Sequence, residues 1–298
     1  MKKIWIVGSS GHVGSALNKI LNAWEYEIIM TDKDEVDIAD EKQVGTYIRC
    51  NRPDVIINCA GCTNPAFCEE NVEEAYKVNA VGVRNIAQEA ESIHAKLIQL
   101  STDDVFDLQS DRPYNEFDEV HPKNIYGKSK YAGELFVKQL MTRYVIIRSS
   151  WIYGIGKDFV DEVLTAADDD SVKMMEVNVN RYAVPTSAKE LAKTIKEFID
   201  HDHYGTYHAV CQGGGCSRFE YAREVLKMAG KEDRLELHPI VADEEHKSQY
   251  SVLDNMMLRI TGLEEPKNWK EALKEYMEES GGRVDGYVKL RRKKKLRL

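Results

Sequence analysis

The first half of the chain alternates short apolar runs with stretches of helical period. Residues 3–7, 26–31, 54–58, 96–101 and 144–148 are short runs rich in branched side chains and read as strands. Between them, 13–23, 41–50, 69–92 and 126–141 carry apolar residues at helical spacing. Runs such as Ile4-Trp5-Ile6-Val7 and Val55-Ile56-Ile57-Asn58 are apolar without alternation, as in a strand covered on both faces. Strands alternating with helices predict βαβ units, hence an α/β fold with a doubly wound parallel sheet. After Trp151 the pattern loosens. Helices are expected at 159–167, 188–200, 218–229 and 269–279, and strands at 173–177 and 206–210. The expected division is a doubly wound domain over 1–150, a smaller lobe over 151–280 with some segments returning to the main sheet, and a tail over 281–298.

Composition narrows the class. Of 298 residues, 43% are hydrophobic and 31% charged, which is ordinary for a soluble globular enzyme. No apolar run approaches the ~18 residues of a membrane-spanning helix. Two lysines precede only Ile4 to Val7 before glycines intervene, too short a run for a signal peptide, so a cytoplasmic protein is expected. The cysteines Cys50, Cys59, Cys62, Cys68, Cys211 and Cys216 fit neither a zinc site nor a secreted disulfide framework and read as reduced thiols. No acidic cluster compels a metal. The net charge of −9 is unevenly spread: the tail GGRVDGYVKLRRKKKLRL holds eight basic residues and one acidic, which leaves about −16 on the body. An acidic body argues against nucleic acid as its partner. The tail is either a solvated extension or a contact for an anionic partner.

The chemistry-bearing motifs fall where strands meet helices. Gly8-Ser9-Ser10-Gly11-His12-Val13-Gly14 follows the first strand and opens a helix. Glycines there allow a tight turn and close backbone approach to a pyrophosphate, with the helix N-terminus facing the phosphates. Asp32 closes the second strand, where a carboxylate binds an adenosine ribose hydroxyl and favours NAD. Lys33 beside it suits a 2′-phosphate, so NADPH and NADH both stay open. Asp37-Ile38 is expected at the adenine, and Asn58-Cys59-Ala60-Gly61 supplies small residues against the cofactor. Tyr126 and Lys130 form YxxxK, one helical face at i,i+4. An ammonium there is expected to lower the phenol's pKa and make Tyr126 a usable proton donor. YxxxK alone is common; Ser101-Thr102 at a strand end 24 residues upstream makes the set specific. Asn79, on the long predicted helix, either orders the site or is an ordinary polar residue.

In their order, the glycine motif, VDIAD, RPDVIIN, YKVNAVG, LSTDDVFD, NIYGKSKYAGE, IIRSSWIYG, VPTSAKELA, GTYHAV and YSVLD resemble the dTDP-4-dehydrorhamnose reductase family of extended short-chain dehydrogenases/reductases. The resemblance covers residues 1 to about 280. It implies a Rossmann domain with a smaller sugar-nucleotide lobe, and hydride transfer from NAD(P)H to C4 of a nucleotide-linked 4-keto-6-deoxy sugar. It makes Tyr126 the proton donor, Lys130 its partner and a holder of the nicotinamide ribose, and Thr102 a hydrogen-bond partner of the carbonyl or of Tyr126. Trp151 would pack on the sugar. It also allows a homodimer. Three departures bear on the substrate. Asp104 stands where the family has tyrosine, Cys62 where it has an aromatic, and Lys247-Ser248 where it has Arg-Pro. A bare carboxylate beside an anionic substrate points to a related keto-sugar, the alternative being tolerated drift with the same substrate. Two other readings share the scaffold: a sugar-nucleotide epimerase or dehydratase, and a non-catalytic regulatory subunit such as that of methionine adenosyltransferase.

Overall fold

The computed structural model describes residues 1–241 and 249–280. The chain opens with β1 (Lys2–Val7), α1 (His12–Ile20), β2 (Tyr26–Thr31), α2 (Glu41–Asn51) and β3 (Val55–Asn58). Then come α3 (Pro65–Glu70), α4 (Val72–Tyr76), a wide π-helical turn (Lys77–Gly82), α5 (Val83–Ser92), β4 (Lys96–Thr102), α6 (Ile125–Leu140) and β5 (Tyr144–Ser149). The second half runs β6 (Ile152–Tyr153), α7 (Phe159–Asp168), β7 (Met174–Asn178), β8 (Arg181–Ala183), β9 (Thr186–Ser187), α8 (Ala188–Asp200), β10 (Gly205–His208), β11 (Cys216–Ser217) and α9 (Arg218–Ala229). It ends with β12 (Glu236–Ile240), β13 (Gln249–Tyr250), α10 (Met256–Ile260) and α11 (Trp269–Glu279).

Six strands form one parallel sheet in the order β2-β1-β3-β4-β5-β10. The reason is the period of two along buried strands. Ile4 and Ile6 join Ile57, Ile98 and Ile147 in the layer under α1 and α8, while Trp5 and Val7 join Ile56, Leu97 and Ile146 under α2 and α5. Both faces are therefore apolar, and each fully buried aliphatic side chain contributes roughly 1.5–3 kcal/mol. β10 and α8 come from the second half and complete the main sheet and its cover. The remaining segments close a separate core around Phe106, Tyr153, Val160, Tyr221 and Leu273.

One expected helix is broken. The stretch 69–92 turns at Asn71, whose φ of −127° and ψ of 60° end α3, with its Nδ2 donating to Phe67 O (3.0 Å). It then widens at Lys77–Gly82 before regaining α geometry. Helical spacing alone carries no mark of either event. The short strands β6, β8, β9, β11 and β13 and the strand β12 escape the pattern reading, most of them being too short to show a period. Among the described residues, no helix is long and apolar enough to cross a membrane. The basic tail and Lys247 lie outside the described residues.

Candidate active site

The chain leaves β1 toward β2 on one side and later crosses to β3 on the other. The C-terminal ends of β1 and β3 therefore diverge at a topological switch point, where such sheets bind ligands. Gly8 sits there at φ +75°, and a Cβ on it would lie 2.8 Å from Ala60 N, so no side chain fits. A Cβ on Gly14 would run into Gly8 O and Ser9 Cα, which keeps α1 tight against the turn. At Gly11 it would meet only Gly8 O, at 3.4 Å, and otherwise project into open space. Gly11 caps α1 without a side-chain hydrogen bond, so the first-turn N–H groups are left to whatever fills the cavity that Gly11, His12 and Val13 line. His12 Nδ1 lies 3.0 Å from Ile155 O and joins this loop to the segment after β6.

At the end of β2, the Asp32 carboxylate accepts Ser9 Oγ (3.1 Å), Ser10 N (3.0 Å) and Ser10 Oγ (2.9 Å). Asp32 thus faces the glycine loop across the crevice. Lys33 lines the same cavity, with its Nζ 3.5 Å from Glu74 Oε1 in an exposed pair too weak to hold it from a 2′-phosphate. Asp37, Ile38, Cys59, Ala60 and Gly61 line the same cavity. The strained glycine, the uncapped helix end and the carboxylate at the strand tip fit a dinucleotide.

The reacting groups converge opposite this loop. Asn124 caps α6 by accepting Gly127 N (2.7 Å). A Cβ at Gly127 would strike Asp104 O and one at Gly133 would strike Asn79 O, so glycines let α6 lie against the end of β4 and against the π turn. Tyr126, Lys130 and Thr102 all line the cavity. Lys130 Nζ donates to Leu100 O (2.7 Å); burial pulls its pKa down to about 8, with Glu134 and Cys59 opposing. The expected lowering of the Tyr126 phenol is not found. Burial pushes it well above its ordinary value and Asp104 adds to this, while the neighbouring Thr102 hydroxyl works the other way. Thr102 Oγ1 donates to Asp103 Oδ1 (3.1 Å) and accepts Asp104 N (3.2 Å).

Two buried residues set this geometry. Glu134, one turn beyond Lys130, receives Arg148 through both carboxylate oxygens (2.9 and 2.7 Å) and Ser101 Oγ (2.6 Å). It thereby ties α6 to β4 and β5. The sequence reading passed over it, although its i,i+4 spacing from Lys130 was visible. Asn79 does not line the cavity. Its Oδ1 accepts Cys62 N (2.8 Å), and its Nδ2 donates to Cys62 O (2.9 Å) and to Ser129 Oγ (3.0 Å), so it fixes the loop after β3.

The substrate side differs from expectation at two positions, Asp104 and Cys62. Asp104 is not a bare carboxylate: Arg181 Nη2 meets its Oδ1 at 3.0 Å. That pairing removes the electrostatic ground for expecting a different sugar. Cys62 does not line the cavity. Cys59 and Cys62 have CxxC spacing, yet the Cys62 thiol faces Cys68 Sγ at 3.3 Å, and all six thiols are free. Lys247 lies outside the described residues. Trp151 does line the cavity, held at φ +40°, a conformation uncommon for a bulky residue. Asp103 accepts Ser251 Oγ (2.6 Å), and burial, then Asp104, push it up to about 7. Phe159, Arg181, Arg218 and Tyr221 complete this wall of a cavity of about 800 Å³. Sequence reading singled out none of them, since they come from separate segments with no motif of their own. Among the described residues, no group of three or more His, Cys, Asp or Glu could hold a metal ion.

Comparison with known proteins places this geometry in a family. Residues 1–281 match the RmlD substrate binding domain. The spore coat polysaccharide biosynthesis protein SpsK of Bacillus subtilis (strain 168) is 33% identical over 96% of this chain and 100% of its own. A crystal structure of a dTDP-4-dehydrorhamnose reductase from Clostridium acetobutylicum superposes with a TM-score of 0.89 at 37% identity, covering 94% of this chain and 99% of that one. A dTDP-4-dehydrorhamnose reductase from Bacillus anthracis, solved in complex with NADP, also gives 0.89, at 34% identity, over 94% and 100% of the two chains. Profile, sequence and structure agree over nearly the whole length, and this chain belongs to the dTDP-4-dehydrorhamnose reductase family.

Proposed function

We propose that this protein reduces the C4 carbonyl of a nucleotide-linked 4-keto-6-deoxy sugar, of the dTDP-4-dehydrorhamnose kind, at the expense of NADPH or NADH. The observation that carries the reading is the convergence of Thr102, Tyr126 and Lys130 on the wall of a cavity that also holds the glycine loop and Asp32. Bound nicotinamide supplies the hydride. The chain supplies the proton: Tyr126 Oη gives it to the C4 oxygen as charge develops there. A phenol pushed up by burial stays protonated at neutral pH, as a donor must. Thr102 offers its hydroxyl to the same oxygen or to Tyr126, and Lys130 presents its ammonium to the cofactor ribose. Gly8, Gly11 and the start of α1 receive the pyrophosphate, and Asp32 the adenosine ribose.

In this reading residues 1–150 form most of the cofactor domain and 151–280 most of the sugar-nucleotide lobe. The protein works in the cytoplasm, where reduced nicotinamides and sugar nucleotides meet. A homodimer and an anion-facing tail belong to the same reading, the tail on the strength of its eight basic residues. The test is NAD(P)H oxidation against a panel of nucleotide keto-sugars. We expect kcat/KM of ~10⁴ M⁻¹s⁻¹ or more on dTDP-4-dehydrorhamnose, within the usual enzyme range. Absence of oxidation with every keto-sugar would overturn the reading.

A further inference from the structure

The wall opposite the glycine loop holds more positive charge than it can satisfy. Arg218 begins α9 and lines the cavity, its guanidinium over the Trp151 ring at 3.8 Å and over the Phe159 ring at 4.6 Å. Among the described residues it has no hydrogen-bond or ion-pair partner. Its neighbour Arg181 has one, Asp104, through Nη2, while Arg181 Nε is buried without an acceptor. Trp151 Nε1, under the Arg218 guanidinium, is also buried and unpaired. Of these three groups only Arg181 meets a carboxylate, Asp104, while Asp103 nearby accepts Ser251 and Thr102.

Arg218 is part-buried, and a guanidinium without a protein acceptor there keeps its donors for whatever fills the cavity, while stacking on the two rings fixes its plane. Burial pulls the Arg218 pKa down to about 10, with Arg181 contributing in the same direction. The guanidinium keeps its charge at neutral pH all the same. Its planar fork is preorganised by the two rings, and such a fork matches the paired oxygens of a phosphate. The glycine loop, on a different element, already provides for cofactor phosphates. A second anion site in the same cavity must therefore serve another anionic group.

We infer that Arg218, seated on Trp151 and Phe159 and flanked by Arg181, is the residue that binds the diphosphate of the nucleotide-sugar substrate. This rests on the proposed function for the identity of the ligand, but the anion site itself does not. Asp104 and Arg181 then form a charge-balanced floor, and Arg218 contributes the net positive charge that recognises the substrate. Trp151, strained at φ +40°, acts as the platform that holds both the guanidinium and the sugar side of the pocket.

The test is calorimetric titration of the full-length, NADP-loaded protein with dTDP, dTMP, thymidine, UDP and inorganic pyrophosphate. It is run on the wild type, Arg218→Met and Arg218→Lys. The wild type should prefer dTDP over dTMP by roughly 10–100-fold, the scale of one bidentate charge-assisted contact. Arg218→Met should lose that preference while binding thymidine as the wild type does. Arg218→Lys should fall between, since a lysine keeps the charge without the fork. Binding of NADPH to each apo-protein, followed by fluorescence, is the control. If Arg218→Met binds dTDP as tightly as the wild type, the arginine is only a structural support for Trp151 and the inference fails. It fails equally if that variant loses NADPH instead. If the wild type binds pyrophosphate in an Arg218-dependent way but neither dTDP nor UDP, the anion site stands and the sugar-nucleotide reading falls. If none of the anions binds, both fall.

Discussion

The two walls of the cavity are built by different means. The cofactor wall is backbone: Gly8 at φ +75°, the uncapped start of α1, and the small residues Ala60 and Gly61 after β3. Its parts lie at the ends of consecutive strands, and steric exclusion decides which residues are tolerated. The substrate wall is side chain. Asp104, Trp151, Phe159, Arg181, Arg218 and Tyr221 come from β4's end, the lobe's first turn, α7, β8 and α9, and charge balance decides what they bind. A backbone wall recognises what all dinucleotides share. A side-chain wall can be rewritten residue by residue, and Asp104, the one departure from the family pattern that touches the cavity among the described residues, falls there. Substitutions should accordingly act through shape on one side and through charge on the other.

The group standing between the walls should give the largest effect. Tyr126→Phe removes the proton donor and should lower turnover by roughly 10²–10⁴-fold. Cofactor titration and Tm should change little, because the ring remains. Turnover within a few-fold of wild type would mean that another group delivers the proton. Next, the backbone wall predicts a split between two glycines. Gly14→Ala forces a methyl into Gly8 O and Ser9 Cα and should destabilise the fold by roughly 1–3 kcal/mol, besides weakening cofactor binding. Gly11→Val points into the cavity and should weaken NAD(P)H binding with Tm nearly kept. Equal Tm losses in the two variants would break the contrast.

The same division explains what could be read from sequence. The parallel sheet was legible because IWIV and VIIN show strands apolar on both faces, and the order of strands and helices admits few topologies. The glycine loop and YxxxK were legible because local spacing alone puts their atoms together. The phenol's environment was not: spacing announced Lys130, whereas the effects that prevail are burial and Asp104, which only the packing of α6 on the end of β4 reveals. The Asp104–Arg181 pair spans 77 positions, and nothing in either segment names the other. The family resemblance implies a pocket position for Cys62, but Asn79 grips its backbone and its thiol faces Cys68.

That pair is the next handle on the comparison. Asp104 is buried and the Arg181 side chain is about one-third exposed, so the pair is partly screened. Asp104→Ala should destabilise by about 1 kcal/mol by leaving a guanidinium without its carboxylate. Arg181→Met should cost a similar amount, and the double variant less than the sum of the two. Chemical denaturation of all four proteins closes the cycle. Additivity within about 0.5 kcal/mol would show that the two charges are not coupled, and the floor of the substrate wall would need another account.

The last expected effect is a pH dependence of stability that only the substrate wall should show. Asp103 is buried at the end of β4, accepts hydroxyl hydrogen bonds from Ser251 and Thr102, and faces Asp104 on its own turn and Arg181 from β8. Burial and then Asp104 push it up to about 7, with the hydroxyls and Arg181 opposing. An unfolded aspartate titrates near ~3.9. The folded protein therefore holds this proton more tightly than the unfolded chain. Stability from the group is complete below about pH 4, declines as pH rises toward 7, and is level above it. The decline follows the direction of the shift and is shared with Asp104, whose charge is coupled to it. Asp103→Asn keeps the shape and removes the titration. Its Tm should fall less than that of the wild type between pH 5 and 8, both flanking the window in which Asp103 loses its proton. Parallel Tm curves for the two proteins would mean that Asp103 is already ionised at pH 5. In that case Arg181 and Arg218 face two carboxylates rather than one, and Arg218 would have less charge to offer a diphosphate.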